Sequence, residues 1–203
     1  MNEYSLMIIM ARTIDDTKIE RIRQVTMQMV VLNGFGGASI LEIAKKAEVA
    51  EGYLYRYYKS KTHLVEDLLY SALNEIAEKL EGLIDNEQLS VGDISRQLIS
   101  LLFVWANQQP DKIKFLFVLM NDYNFQIREY QEARIYNLCK RVKEKGHLSG
   151  EINHEFGEEE VLLFSVSFPL QFINMRLKNF FYQSKLGEEE KQRLMNICIN
   201  SLK

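Results

Sequence analysis

Backbone breakers are scarce here: 2 prolines and 10 glycines among 203 residues. A chain so short of them, and so rich in Leu, Ile, Glu and Lys, reads as all-α. Cysteine is scarcer still. Cys139 and Cys198 lie far apart without CxxC spacing, which leaves no disulfide framework or thiolate metal centre. With no export signal they read as reduced thiols of a cytoplasmic protein, each an ordinary half-buried helix residue. No apolar run is long enough to span a membrane. The N-terminal stretch MNEYSLMIIMA has an apolar patch at Leu6–Ala11 but no basic flank, so residues 1–11 read as an arm or frayed extension. Excess positive charge is absent too: the net charge is −3 and the pI about 5.7. That argues against a basic nucleic-acid-binding chain. Acids and bases balance within residues 1–70, so any phosphate contact falls to a local cluster of Arg56, Lys59 and Lys61. His63, His147 and His154 show no ligand spacing, so no metal is expected. No Ser-His-Asp grouping, P-loop or GxGxxG is found, so neither an enzyme nor a cofactor site has residues to rest on.

What is present is a hydrophobic content of 47%, enough for one large core or two unequal domains. Apolar positions Ile19, Ile22, Val25, Met29 and Leu32 recur at helical spacing and predict a first helix over 15–33, with Asp15 or Asp16 as cap. Asn33-Gly34 stops it, with Gly34 left-handed, and Phe35 turns back into the core. Ser39 and Glu42 form a Ser-x-x-Glu capping box for a second helix ending by Ala47. Glu48-Val49-Ala50 is a turn, and a third helix runs from about 50 to 58, held by Leu54 and Tyr57. Ser60 caps a fourth helix over 61–83. Further helices are expected over 90–108, 110–121, 124–146, 156–182 and 188–202. Pro110 starts one of them, and Pro169 should kink or interrupt another. No Pro/Gly-rich linker separates the first three helices from the fourth.

Two short helices, a tight turn and a basic, tyrosine-rich exit within residues 34–64 form the layout of a helix-turn-helix. The residues involved are Gly34-Phe35, Ile43-Ala44-Lys45-Lys46-Ala47, Glu48-Val49-Ala50, Gly52-Tyr53-Leu54-Tyr55-Arg56-Tyr57-Tyr58 and Ser60-Lys61. In this order they resemble the DNA-binding domain of the TetR family of bacterial transcriptional regulators. Three positions depart from that pattern. Glu48 replaces the turn glycine, at a cost on the order of 1 kcal/mol if left-handed. Ala50 and Ala38 replace hydroxyl residues. Glu51 places an acid on the recognition helix, where it could accept from a cytosine amine or could weaken binding.

The resemblance implies an N-terminal three-helix helix-turn-helix domain, residues 12–60, joined by a long helix to a helical effector-binding and dimerisation domain, residues 61–203. It implies DNA-facing roles for Ser39, Ala50, Glu51, Gly52, Tyr53, Tyr55, Arg56, Tyr57, Lys59 and Lys61. Gly52 would allow close approach to the DNA backbone. Tyr55 and Tyr57 would place hydroxyls near phosphates, and Tyr53 would reach a base edge or sugar. Lys61 would add a cation at a helix N-terminus that already favours an anion. Tyr58 reads as core, and Lys45 and Lys46 as a solvated face. For the C-terminal half the resemblance implies a cavity for a small apolar or aromatic effector. The aromatic candidates to line it are Phe103, Trp105, Tyr123, Phe125, Tyr136, Phe164, Phe168 and Phe172, with core or dimer seam as the alternative for each. Arg128, Glu129, Arg134 and Arg176 are candidates for one polar anchor. Helices 156–182 and 188–202 would build the dimer interface.

The function expected is that of a ligand-responsive repressor acting as a homodimer on a near-palindromic operator of double-stranded DNA, with no membrane partner. The alternative is a ligand-binding or protein-interaction module of the same fold with weak or lost specific DNA binding.

Overall fold

The structure, a computed structural model, describes residues 3–203, with side chains from residue 16 onward. The Leu6–Ala11 patch and the Asp15 cap therefore lie outside the described side chains. Helices follow one another as α1 (Glu3–Gly37), α2 (Ile40–Lys46), α3 (Glu51–Tyr57), α4 (Lys61–Ile84), α5 (Val91–Gln108) and α6 (Pro110–Met120). They continue as α7 (Glu129–Ser149), α8 (Glu158–Leu162), a π-helical turn (Leu163–Ser167), α9 (Phe168–Leu177) and α10 (Glu188–Ser201). No strand occurs among the described residues, so the chain is all-α.

Several boundaries differ from the sequence expectation for local reasons. α1 starts at Glu3, ahead of the Asp15/Asp16 cap, because no proline or glycine interrupts residues 3–33. Gly34 has φ 71° and ψ 173°. This is the extended, positive-φ region open to glycine rather than the left-handed helical one. α1 bends there and resumes for one more turn. Ser39 Oγ accepts from Glu42 N–H at 3.2 Å, the serine half of the expected box. A complete reciprocal box forms instead at Ser90 and Asp93, opening α5. α7 starts at Glu129, not 124, because Asp122 takes the Asn124 N–H at 2.9 Å and holds a loop open. It runs on to Ser149, closed by left-handed Gly150.

The expected helix 156–182 is divided. Phe168 N–H reaches back five residues to Leu163 O, which widens the turn just before Pro169, whose ring and missing N–H would break a regular helix. The helix ends by Lys178, and Asn179 and Tyr182 then take positive φ.

Buried side chains form two clusters. One contains Leu54 and Leu64 together with Phe115, Leu170 and Leu194, so α1–α3 share a core with α5, α6, α9 and α10. The other joins the far half of α4 to α5, α7 and α8. Buried Lys112 of α6 is paired by residues of α4 and α5. Lys112 Nζ lies 2.7 Å from Glu75 and 3.6 Å from the centre of the Trp105 ring.

Glu151 closes the N-terminus of α5: it accepts from Val91 N–H at 3.2 Å, Gly92 N–H at 3.0 Å and the Ser149 hydroxyl at 2.9 Å. Burial pushes its carboxyl up, but the Gly92, Ser149 and Val91 donors outweigh burial and hold it below the usual carboxylate range. A carboxylate depressed on folding adds stability above its unfolded pKa, and that stability is lost as pH falls through the folded value. Denaturant titrations should therefore show wild-type stability falling on acidification more steeply than that of Glu151→Gln. Parallel pH profiles would remove this role.

Candidate nucleic-acid interface and effector cavity

The apolar residues of α2 and α3 fix which face of α3 is free. Ile43, Ala44, Ala47 and Leu54 are buried between the two helices, and Tyr58 closes the end. Burial, then the charge of Asp67, pushes the Tyr58 hydroxyl up; this tyrosine belongs to the core. Ala38 is also buried, at 3% exposure, so it packs rather than faces a partner. The outward face carries Ala50, Glu51, Gly52, Tyr55, Arg56 and Lys59, all exposed. Lys45 and Lys46 are exposed as well. A Cβ on Gly52 would meet nothing within 4 Å. Nothing within the chain requires glycine there, as expected where the crowding comes from an outside surface.

Tyr53 and Tyr57 are half-buried and pack together with ring centres 5.3 Å apart. Two cations flank Tyr53: Lys18 Nζ lies 5.3 Å and the Arg56 guanidinium carbon 5.7 Å from its ring centre. Lys18 was missed in the sequence because it sits on α1, well before the motif. Ser39 is half-buried with its Oγ at the cap.

Lys61 differs from the expectation. Its ammonium donates to Phe35 O at 2.7 Å and Gly36 O at 3.2 Å, and sits 4.6 Å from the Phe35 ring centre. It holds the last carbonyls of α1, as a cation favours a helix C-terminus.

The turn residue Glu48 is left-handed, with φ 55°. Its carboxylate meets Arg21 at 3.2 Å in an exposed pair. The backbone penalty for a non-glycine residue is about 1–2 kcal/mol, the surface pair contributes about 0–1 kcal/mol, and a glycine costs more entropy on folding. Glu48→Gly is thus expected to stabilise the protein by up to about 1 kcal/mol, a rise of roughly 2–4 °C in Tm. A fall in Tm would mean that the Arg21 pair dominates.

The C-terminal bundle encloses a cavity of about 140 Å³. It lies among Leu73, Ile76, Ala77 and Leu80 of α4, Ile94 and Leu98 of α5, a stripe of α7, and α8 with the π-helical turn. Met120 and Ile127 complete it from either end of the α6–α7 loop. No charged or aromatic side chain lines it, and Ser165 supplies the hydroxyl. Burial, followed by the charge of Glu158, pushes the Cys139 thiol up to about 11, so it faces the cavity neutral.

The aromatic candidates lie elsewhere. Phe103 and Trp105 are buried in the core and Phe125 packs on Phe35. Phe164, Phe168 and Phe172 are half-buried outside the lining, Tyr136 is largely exposed, and Tyr123 is 100% exposed. Of the polar candidates, Arg128 forms a two-pronged pair with Glu66, and Arg134 holds Glu81 and Asn74. Arg176 reaches Gln183, and Glu129 is exposed at the start of α7. The signal for the lining was aliphatic: Ile135, Leu138, Cys139 and Val142 share one face of α7 at helical spacing.

Residues 22–68 match the family model for bacterial regulatory proteins of the tetR family. The uncharacterized HTH-type transcriptional regulator YvkB of Bacillus subtilis is 29% identical, over 63% of this chain and 68% of that protein. The fatty acid metabolism regulator protein of Bacillus subtilis is 25% identical, over 67% of this chain and 63% of its own length. Among solved structures, a TetR family transcription regulator from Marinobacter aquaeolei VT8 superposes with a TM-score of 0.75 at 20% identity, covering 94% of this chain and 98% of that one. FadR from Bacillus subtilis in complex with stearoyl-CoA gives 0.69 at 16% identity, covering 89% and 97%. The relatives are regulators, not enzymes. Residues 22–68 thus carry the helix-turn-helix of the tetR family of bacterial regulatory proteins, within an all-helical fold similar to those of TetR family transcription regulators.

Proposed function

We propose that the chain is a ligand-responsive repressor that acts as a homodimer on a near-palindromic operator in the cytoplasm. Residues 12–60 are its DNA-binding unit and residues 61–203 its effector-binding and dimerisation unit. The observation that carries this reading is the outward face of α3, where Tyr55, Arg56 and the uncrowded Gly52 lie together over a fully packed α2–α3 pair. Tyr55, Tyr57, Arg56 and Lys59 serve phosphates, and Ser39 and Ala50 bring helix N-termini to the backbone. Glu51 and Tyr53 read base edges. Lys61 acts by securing the end of α1. Two recognition helices then meet half-sites about one helical turn apart. The dimer forms through α8–α9 and α10, where Leu163 and Ile197 are exposed, as are Phe180 and Phe181 in the connection between α9 and α10. Among the described residues no helix is long and apolar enough to cross a membrane.

The effector is a small apolar or aromatic molecule. Support comes from the largely apolar surroundings of the cavity and from its size, near that of an engineered 150 Å³ cavity that stays dry and binds benzene. The similarity to a fatty acid metabolism regulator, and to the fold of a regulator complexed with stearoyl-CoA, supports an acyl or other hydrocarbon group. Operator affinity measured from low to moderate salt is the test. It should fall linearly on a log–log plot, with a slope of roughly −0.9 per neutralised phosphate. A salt-independent interaction contradicts the reading. The exposed acid Glu51 favours the second reading, a ligand-binding module without specific DNA binding, and sequence-blind binding would support it.

A further inference from the structure

Ser165 brings a hydroxyl to the cavity lining, and the protein leaves that hydroxyl unused. The residue is 6% exposed and sits in the π-helical turn after α8. A buried hydroxyl on a helix can satisfy itself on the carbonyl four residues back. Thr26 does so, donating to Ile22 O at 2.6 Å. Among the described residues, nothing donates to Ser165 Oγ or accepts from it. Water is a poor substitute. A buried water makes roughly three hydrogen bonds. The side chains of this lining offer it a hydroxyl and the Cys139 thiol, a weak partner that burial keeps neutral.

Charge is missing from the lining as well. Arg134 and Lys143, on α7, are engaged by Glu81 and Glu158. An ionised group inside the cavity would meet no opposite charge there, and burying it unpaired is costly.

Resting on the effector-site reading above, we propose that Ser165 sets the specificity of this cavity: its ligand is a neutral hydrocarbon that carries one hydroxyl or carbonyl oxygen, bonded by the Ser165 hydroxyl. A serine hydroxyl can donate to a carbonyl or accept from an alcohol or phenol. A volume of about 140 Å³ suits a single ring or a short chain. A ligand without the oxygen leaves Ser165 unpaired. A ligand with its oxygen at another point of the ring or chain buries that oxygen without a partner.

The test uses the full chain with toluene and phenol as probes, two molecules of one shape that differ by a methyl or a hydroxyl. Titrations followed by the methyl chemical shifts of Ile135 and Val161 give both affinities. An apolar cavity without a partner for the hydroxyl should bind phenol about hundredfold more weakly than toluene. With Ser165 in place the two should agree within about tenfold. Ser165→Ala should weaken phenol by about tenfold or more and leave toluene within about twofold. A serine needed only for its small size would change both probes alike. Cys139→Ala should move the two probes together. Phenol bound by Ser165→Ala as by wild type, or lost in Cys139→Ala while toluene stays, overturns the role of Ser165 and leaves the effector site standing. Should Ser165→Ala not fold, the wild-type ratio decides: a hundredfold preference for toluene overturns the proposal. Absence of methyl shifts with both probes overturns the effector site and the specificity with it.

Discussion

Replacing Tyr55 and Arg56 together by alanine is expected to weaken operator binding by roughly hundredfold or more, with thermal unfolding shifted by no more than about 2 °C. Both side chains are exposed, Tyr55 at 51%, on the face of α3 that no other helix covers. Their removal opens no cavity and leaves no buried polar group unpaired. The fold around them rests on Leu54, which has 0% exposure and sits between them and α2. Fluorescence anisotropy on an operator duplex and a melting curve on the same preparation separate the two effects. Arg56 also lies over the Tyr53 ring, so the loss combines phosphate contact with the posture of Tyr53. If the double variant binds as wild type, α3 is not the reading helix. If it melts far lower, these residues belong to the fold and the interface has been misassigned.

Gly146→Ala is expected to destabilise the bundle by about 2–3 kcal/mol, a fall in Tm of roughly 4–12 °C. Gly146 is buried on α7, where a Cβ would lie 2.4 Å from Ile152 Cγ1, 2.5 Å from its Cδ1 and 2.9 Å from its Cβ. The Ile152 side chain is fully buried. It cannot retreat freely, because Glu151 and Ile152 donate their N–H groups to Gly146 O and Asn153 N–H reaches Leu202 O at 2.7 Å. The chain after α7 is thus pinned to the glycine it crowds. Helix propensity alone would favour alanine by about 1 kcal/mol, so a measured loss isolates the packing term. Adding Ile152→Ala to Gly146→Ala should recover part of it. A Gly146→Ala variant as stable as wild type would contradict the close packing of this corner.

The helix-turn-helix was legible because its determinants are local. The Ser39 cap, the alanines of α2 and the spacing of Leu54 and Tyr58 act within a few residues of one another. The strain at Glu48 was legible too, since it follows from the turn type. The C-terminal half was less so. Its cavity depends on which faces of α4, α5 and α7 converge, and the conspicuous aromatics do not mark those faces. Phe103, Trp105 and Phe125 are used in packing the core, while unremarkable Ile, Leu and Val line the cavity. The position of Lys61 was hidden because its partners, Phe35 and Gly36, approach it only through the bend at Gly34. Pro169 marked the break in its helix, but the end at Leu177 depends on the left-handed Asn179, which no nearby proline or glycine announces.

Selection of genomic fragments by the purified protein, at low and at moderate salt, tests the central claim most directly. The account predicts enrichment of one inverted-repeat sequence that survives moderate salt, with half-sites about one helical turn apart. Weak retention of all sequences alike, lost as salt rises, would contradict a specific operator-binding regulator.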